Sequence, residues 1–276
     1  MGSRLTGKVA MVTGAGRGIG LALVEQLARE GARIVLNDLD PGPAGAAAQM
    51  ARGIGSQVIV VPGDVTLPDF PDRFLKAAME GFGDVHIVVN NAGYVWNSVI
   101  ERQTDEQWLA MQSVHVTAPF RLLRALQPVF AAAAAADRAA GRRVMRKVVN
   151  VTSVSGTGGS FGQVSYSAAK SGLIGLTKTL AKEWGRLNVN VNAVAFGLIE
   201  TRLTEETGAG PRSIEVGDRE LAVGLKPQLV ERLKEQIALG RAGTPAEAAG
   251  AIMLLCFPES DYISGQIIEV AGGLSN

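Results

Sequence analysis

Tyr166 and Lys170 stand four residues apart in Tyr166-Ser167-Ala168-Ala169-Lys170, so on a helix they share one face about a turn from each other. A free tyrosine has a pKa of ~10 and is a poor base at neutral pH. An ammonium beside it favours tyrosinate and moves that value toward the working range. Ser153 lies thirteen residues before Tyr166, just after the apolar run Lys147–Val151. A loop there can bring its hydroxyl over the same spot, where it would hydrogen-bond an oxygen as charge develops on it. Ser155 is a nearby competitor for that role. Such a trio can pass a proton to or from an oxygen, which is half of interconverting a carbonyl and an alcohol. The hydride half is cofactor chemistry.

A place for that cofactor is written near the start of the chain. Thr13-Gly14-Ala15-Gly16-Arg17-Gly18-Ile19-Gly20 separates the strand-like Val9-Ala10-Met11-Val12 from a helical pattern over Ile19–Arg29. Glycines let backbone turn tightly and approach a pyrophosphate, and the helix N-terminus offers free N–H groups to phosphates. Asp38 follows at the end of the next strand, eighteen positions after Gly20. A carboxylate there accepts both adenosine ribose hydroxyls and repels a 2′-phosphate, which favours NAD over NADP. Arg17 keeps NADP open, because a guanidinium beside the turn could grip a 2′-phosphate; it could equally pair with surface acids or the pyrophosphate. Leu39 stands where a second basic residue would have helped NADP.

The elements that must position these groups follow from periodicity. Ile19, Leu23 and Leu27 recur every four residues as one apolar helix face. Short apolar runs read as strands at Val9–Val12, Arg33–Asn37, Gln57–Val61, Val85–Asn90, Lys147–Val151, Asn188–Ala193 and Gln266–Val270, with helical stretches between. Alternation of this kind indicates an α/β, doubly wound parallel sheet of the Rossmann type, one domain over residues 1–276. Two segments read as additions, an alanine-rich helix extension near Ala131–Arg143 and the Gly/Pro/charge-rich span Thr204–Gly240. The second is too long for a plain connection and suggests a substrate lid over 202–240.

Composition excludes several classes. Net charge is +1 with 47% apolar residues, and no basic block suggests a nucleic-acid partner. The basic stretch Arg138–Lys147 reads as a solvated helix end. The one cysteine, Cys256, permits no intrachain disulfide and reads as a buried thiol, which fits a reducing cytoplasm. No run reaches the ~18 apolar residues of a membrane span. Gly14, Arg17 and Gly20 interrupt any signal-peptide core. Met1–Thr6 matches the short, often fortuitous myristoylation pattern. No metal-ligand spacing occurs, and His86 at a strand start reads as a packing residue.

The Gly-rich turn, Asn90-Asn91-Ala92-Gly93 and Tyr166-Ser167-Ala168-Ala169-Lys170, in that order, resemble the short-chain dehydrogenase/reductase family over essentially the whole chain. The resemblance extends to Gly265-Gln266-Ile267-Ile268-Glu269-Val270-Ala271-Gly272-Gly273. It implies that Gly14, Arg17, Gly18, Ile19, Gly20 and Asp38 hold the cofactor. Asp64 and Val65 would flank the adenine, and Asn91 and Gly93 would lie along the cofactor. Ile199 and Thr201 would meet the nicotinamide carboxamide, and Lys170 its ribose. It makes Tyr166 the acid in reduction and the base in oxidation, and its spacing selects Ser153 over Ser155. Two positions depart from the family pattern: His115 replaces a common asparagine, to relay protons or simply to pack, and Phe196 replaces a proline. The closest resemblance is to 3-oxoacyl-(acyl-carrier-protein) reductases, which implies 3-oxoacyl thioester reduction. Two other readings stay open, an NAD-linked catabolic dehydrogenase of a sugar, diol, steroid or terpenoid alcohol, and, remotely, a nonenzymatic nucleotide sensor. Substrate choice is expected in Val95–Ser98, Thr157–Gln163 and Arg202–Leu239. A cytoplasmic homotetramer is also implied, packing through Thr117–Ala136 and Ser167–Trp184.

Overall fold

The computed structural model describes residues 3–204, 212–216 and 219–274. The start of the myristoylation pattern and part of the lid therefore lie outside the described residues. In chain order the elements are β1 Val9–Val12, α1 Gly18–Arg29, β2 Arg33–Leu36, α2 Pro41–Ile54, β3 Val58–Val60, α3 Phe70–Phe82 and β4 Ile87–Asn90. There follow α4 Asp105–Gln112, α5 Ala118–Ala139, β5 Arg146–Ser153, α6 Val154–Gly158, α7 Val164–Trp184 and β6 Val189–Phe196. The chain continues with β7 Arg212–Val216, β8 Arg219–Val223, α8 Pro227–Gln236, α9 Pro245–Leu254 and β9 Ile267–Val270.

Seven strands form one sheet in the order β3-β2-β1-β4-β5-β6-β9, and every pairing in it is parallel. Helices cover both faces, which is why β1, β3 and β4 are nearly continuous apolar runs; β5 and β6 carry buried Asn150, Thr152, Asn190 and Asn192 as well. In β1, Ala10 and Val12 point to one core with Leu23 and Leu27 of α1, Ala47 of α2 and Ile252 of α9. Val9 and Met11 point to the other, with Phe74 of α3, Leu126 and Phe130 of α5 and Trp184 of α7. The order reverses between β1 and β4, and the crevice at their C-terminal ends is where such sheets bind ligands.

Two expectations need correction. The stretch Arg138–Lys147 is a solvated helix end only as far as Arg143; Arg146 and Lys147 are 1% and 4% exposed at the start of β5. Arg146 donates to Asp137 at 3.0 Å and to Asp84 at 3.2 Å. Lys147 donates to Asn190, Ser260 and Asp261. Charges that deep require such partners. The span 202–240 is also more ordered than a loop. It contains the antiparallel β7–β8 hairpin, separate from the main sheet, and helix α8. Cys256 is buried as expected. Among the described residues no helix is long and apolar enough to cross a membrane.

Candidate active site

The glycine turn is built by close approach. A Cβ on Gly20 would lie 2.0 Å from the Gly14 carbonyl, and one on Gly14 would lie 2.7 Å from Ala92 Cα. Asn91 fastens the end of β4 to this turn, its Nδ2 donating to the Thr13 and Gly14 carbonyls at 3.0 and 2.8 Å. Helix α1 begins after Arg17 with no side-chain cap, so its first N–H groups are free to meet phosphate. At the end of β2, the Asp38 carboxylate accepts from the Gly16 N–H at 2.8 Å and the Asp40 N–H at 3.2 Å. Asp64 is fixed in the same way by the Thr66 N–H and hydroxyl, both at 2.8 Å. A cavity of about 970 Å³ runs from this turn to the ends of β5 and β6. Its volume, the uncapped helix and the oriented Asp38 fit a dinucleotide with a small substrate beside it.

The residues assigned to the cofactor or to the chemistry all reach the wall of this one cavity, from Gly14 and Asp38 at one end to Ser153, Tyr166, Ile199 and Thr201 at the other; Ser155, the competitor for the serine role, does not. Ser153 is the last residue of β5, not part of a loop, since β5 runs two residues past the end of its apolar run at Val151. It caps α6, its Oγ accepting from the Ser155 N–H at 3.1 Å. The Ser155 hydroxyl is turned away to Ser160 and Gln163, leaving Ser153 to face Tyr166.

Lys170 lies one turn along α7 from Tyr166, and its Nζ donates to the Val151 carbonyl at 2.8 Å. Close packing places it: a Cβ on Gly156 of α6 would fall 2.8 Å from Lys170 Cβ. The expected lowering of the tyrosine pKa is not what the protein's own groups produce. Loss of water pushes Tyr166 up to about 12, opposed only by a hydrogen bond with Ser153. Burial brings Lys170 down to about 7. For Tyr166, burial therefore outweighs its one stabilising contact, the hydrogen bond with Ser153.

His115 sits in a widened turn, Ser113–Thr117, between α4 and α5. Pro119 follows it in α5 and has no N–H to give the His115 carbonyl, which favours widening there. The imidazole is 2% exposed, and its Nε2 lies 2.8 Å from the Tyr94 carbonyl. That acceptor fixes the proton on Nε2. Nδ1 is buried without a protein partner, and the ring meets Tyr166 edge-on at 5.2 Å. Burial, with Lys170 nearby, holds its pKa well below the ordinary value.

The substrate side departs from expectation in part. None of Thr157–Gln163 reaches the cavity; Gln163 instead braces Asn97 at 3.0 Å, and the Ser98 N–H donates to the Gly162 carbonyl. The inner face of the hairpin, which sequence reading took for loop, supplies Ile214 and Val216 opposite Leu109 and Ala110 of α4. Arg219 at its tip pairs with Glu106 at 2.7 Å and lies over the Trp96 ring. The signal for it in the sequence was the alternation of Ser213-Ile214-Glu215-Val216 and Glu220-Leu221-Ala222-Val223 on either side of a Gly-Asp pair. Phe196 lines the cavity where a proline was expected, and its carbonyl accepts from Ser153. His86 is structural, its Nδ1 accepting from the Val9 N–H at 3.2 Å. Among the described residues no cluster could hold a metal.

Comparison with known proteins agrees with this geometry. The family described as "Enoyl-(Acyl carrier protein) reductase" matches residues 14–275. The chain is 35% identical to 3-oxoacyl-[acyl-carrier-protein] reductase FabG of Vibrio cholerae over 98% of both chains. It is 33% identical to the Thermotoga maritima protein of the same name, covering 98% of this chain and 99% of that one. A solved Serratia marcescens short-chain dehydrogenase/reductase mutant superposes with a TM-score of 0.84 at 27% identity, over 99% of this chain and all of the other. The protein therefore belongs to the short-chain dehydrogenase/reductase family and is an oxidoreductase of carbonyl and alcohol groups that works with a nicotinamide cofactor.

Proposed function

We propose that the protein reduces a 3-oxoacyl thioester with NADH, Tyr166 giving the proton. The observation that carries this is the meeting of Ser153, Tyr166 and Lys170 on the wall of a cavity continuous with the glycine turn. When bound, the nicotinamide supplies the hydride; the rest falls to the protein. Tyr166, with a pKa near 12, holds its proton at neutral pH, the state that protonates a carbonyl oxygen. Ser153 Oγ donates to that same oxygen as charge builds. Lys170, near pKa 7, can pass a proton toward Tyr166. His115, neutral and fixed by Tyr94, is a positioning residue that braces the Tyr166 ring and presents Nδ1 as an acceptor.

The names of the relatives and the apolar wall of Leu109, Leu203, Ile214 and Val216 support a thioester with a short acyl chain. Asp38, held by two N–H groups with its charge toward the cavity, supports NAD over NADP. The same two features also favour a second reading, an NAD-linked dehydrogenase of an apolar secondary alcohol. The glycine turn, Asp64, Val65, Asn91, Gly93, Ile199 and Thr201 would hold the dinucleotide in either case. A homotetramer is supported by exposed Phe120 on α5 and Val164 on α7, and a cytoplasmic setting by the lone buried thiol.

The test is oxidation of NADH and NADPH with acetoacetyl-CoA, beside Tyr166→Phe. Loss of roughly 10²–10⁴-fold in kcat/KM, with dinucleotide binding kept, is expected. Turnover only with secondary alcohols and NAD would favour the second reading. A Tyr166→Phe protein within tenfold of wild type would remove tyrosine from the mechanism.

A further inference from the structure

Two acids, not one, lie beside the glycine turn, and of these only Asp38 lines the cavity. Asp38 is bound to backbone, as described. Asp40, two residues on, does something else: its Oδ2 pairs with the Arg17 guanidinium at 2.9 Å, while its Oδ1 accepts from the Gly42 N–H and caps α2. Arg17 lines the cavity, and so does Arg202, which lies within the field of Arg17, Asp38 and Asp40. Two guanidiniums therefore flank the place where an adenosine ribose would meet Asp38. Left unpaired, they would form a binding place for a phosphate on that ribose.

We infer that Asp40 is a specificity-determining residue, holding Arg17 in an ion pair so that it cannot serve a ribose 2′-phosphate. This rests on the dinucleotide reading of the site. Asp38 disfavours the 2′-phosphate by direct repulsion, and Asp40 disfavours it by occupying the cation that would bind it. The second effect is separable from the first because the two carboxylates have different partners. Arg17 stays in place beside the pyrophosphate path, so its presence in the turn does not make the protein an NADP enzyme.

The experiment measures binding of NAD⁺, NADP⁺, 5′-AMP and 2′,5′-ADP by calorimetry to wild type, Asp40→Asn, and Asp40→Asn with Arg17→Ala. Asparagine keeps an oxygen for the Gly42 N–H, so the helix cap survives. In Asp40→Asn the Kd ratio should move about two- to fivefold toward NADP⁺ and 2′,5′-ADP, the scale of one freed charge contact at a half-exposed site. Adding Arg17→Ala should return the ratio to the wild-type value. A general disturbance of the turn would weaken all four ligands together and leave the ratio alone, which would overturn the inference. So would a gain that survives removal of Arg17. A wild-type protein that bound neither dinucleotide would overturn the underlying reading itself, a result distinct from an unchanged ratio.

Discussion

Gly93→Ala should be disproportionately damaging, and for a reason that lies in one side chain. The Gly93 backbone is not in the positive-φ region, so alanine meets no left-handed strain there. Its Cβ would stand 2.3 Å from His115 Cε1 and 2.8 Å from Nδ1. Ordinary contact begins at 3.4 Å, so the ring must retreat by about 1 Å in an interior that packs tightly. It is boxed in by the 2.8 Å contact with the Tyr94 carbonyl and by the Tyr166 edge. Losing that hydrogen bond costs about 1 kcal/mol, and overpacking adds about 1–3 kcal/mol. The expected destabilisation is therefore about 2–4 kcal/mol. Urea unfolding of wild type, Gly93→Ala, His115→Ala and the double variant measures it. Removing the ring removes the obstacle, so the cycle should show a coupling of about 2 kcal/mol. Equal cost of Gly93→Ala in both backgrounds would refute the steric argument.

Arg219→Ala should raise KM several-fold while kcat and stability hold, because its pair with Glu106 is exposed and worth less than about 1 kcal/mol to the fold; an unchanged KM in steady-state kinetics would remove the hairpin tip from substrate binding. Asp137→Ala should cost about 3 kcal/mol in urea unfolding, since it strips a partner from a guanidinium only 2% exposed; a loss under ~1 kcal/mol would show that Asp84 suffices. His86 is held below its ordinary pKa, at about 4, chiefly by burial, so the unfolded chain takes up a proton near pH 6.5 that the folded chain refuses. Stability is complete above pH 6.5 and is lost as pH falls toward 4, by up to about 3 kcal/mol. His86→Gln should flatten that acid slope, and an equally steep slope in the variant would assign it to other groups.

Much of this was legible because the physics is local. Most of the seven parallel strands announced themselves as short apolar or β-branched runs, as burial between helices requires. Glycine spacing and the Tyr166–Lys170 interval marked the site because each depends on a few neighbouring residues. What escaped depends on partners far along the chain. Arg146 reads as surface until Asp84, sixty-two residues earlier, is seen against it. Lys147 needs Asp261, 114 residues on. Nothing in a local window distinguishes such a charge from a solvated one.

The tyrosine shows the same limit in the chemistry itself. Sequence spacing puts an ammonium one turn away and argues for a lowered pKa; the fold puts both groups out of water, and desolvation then outweighs their attraction. A tyrosine that keeps its proton at neutral pH is ready to donate, whereas a ready base would suit oxidation. Lys170 near 7 can still deliver a proton when Tyr166 has lost one. The buried, neutral His115 adds an acceptor without adding a charge that would further depress the lysine. A positively charged side chain in its place would push Lys170 lower still, as Lys170 itself does to His115.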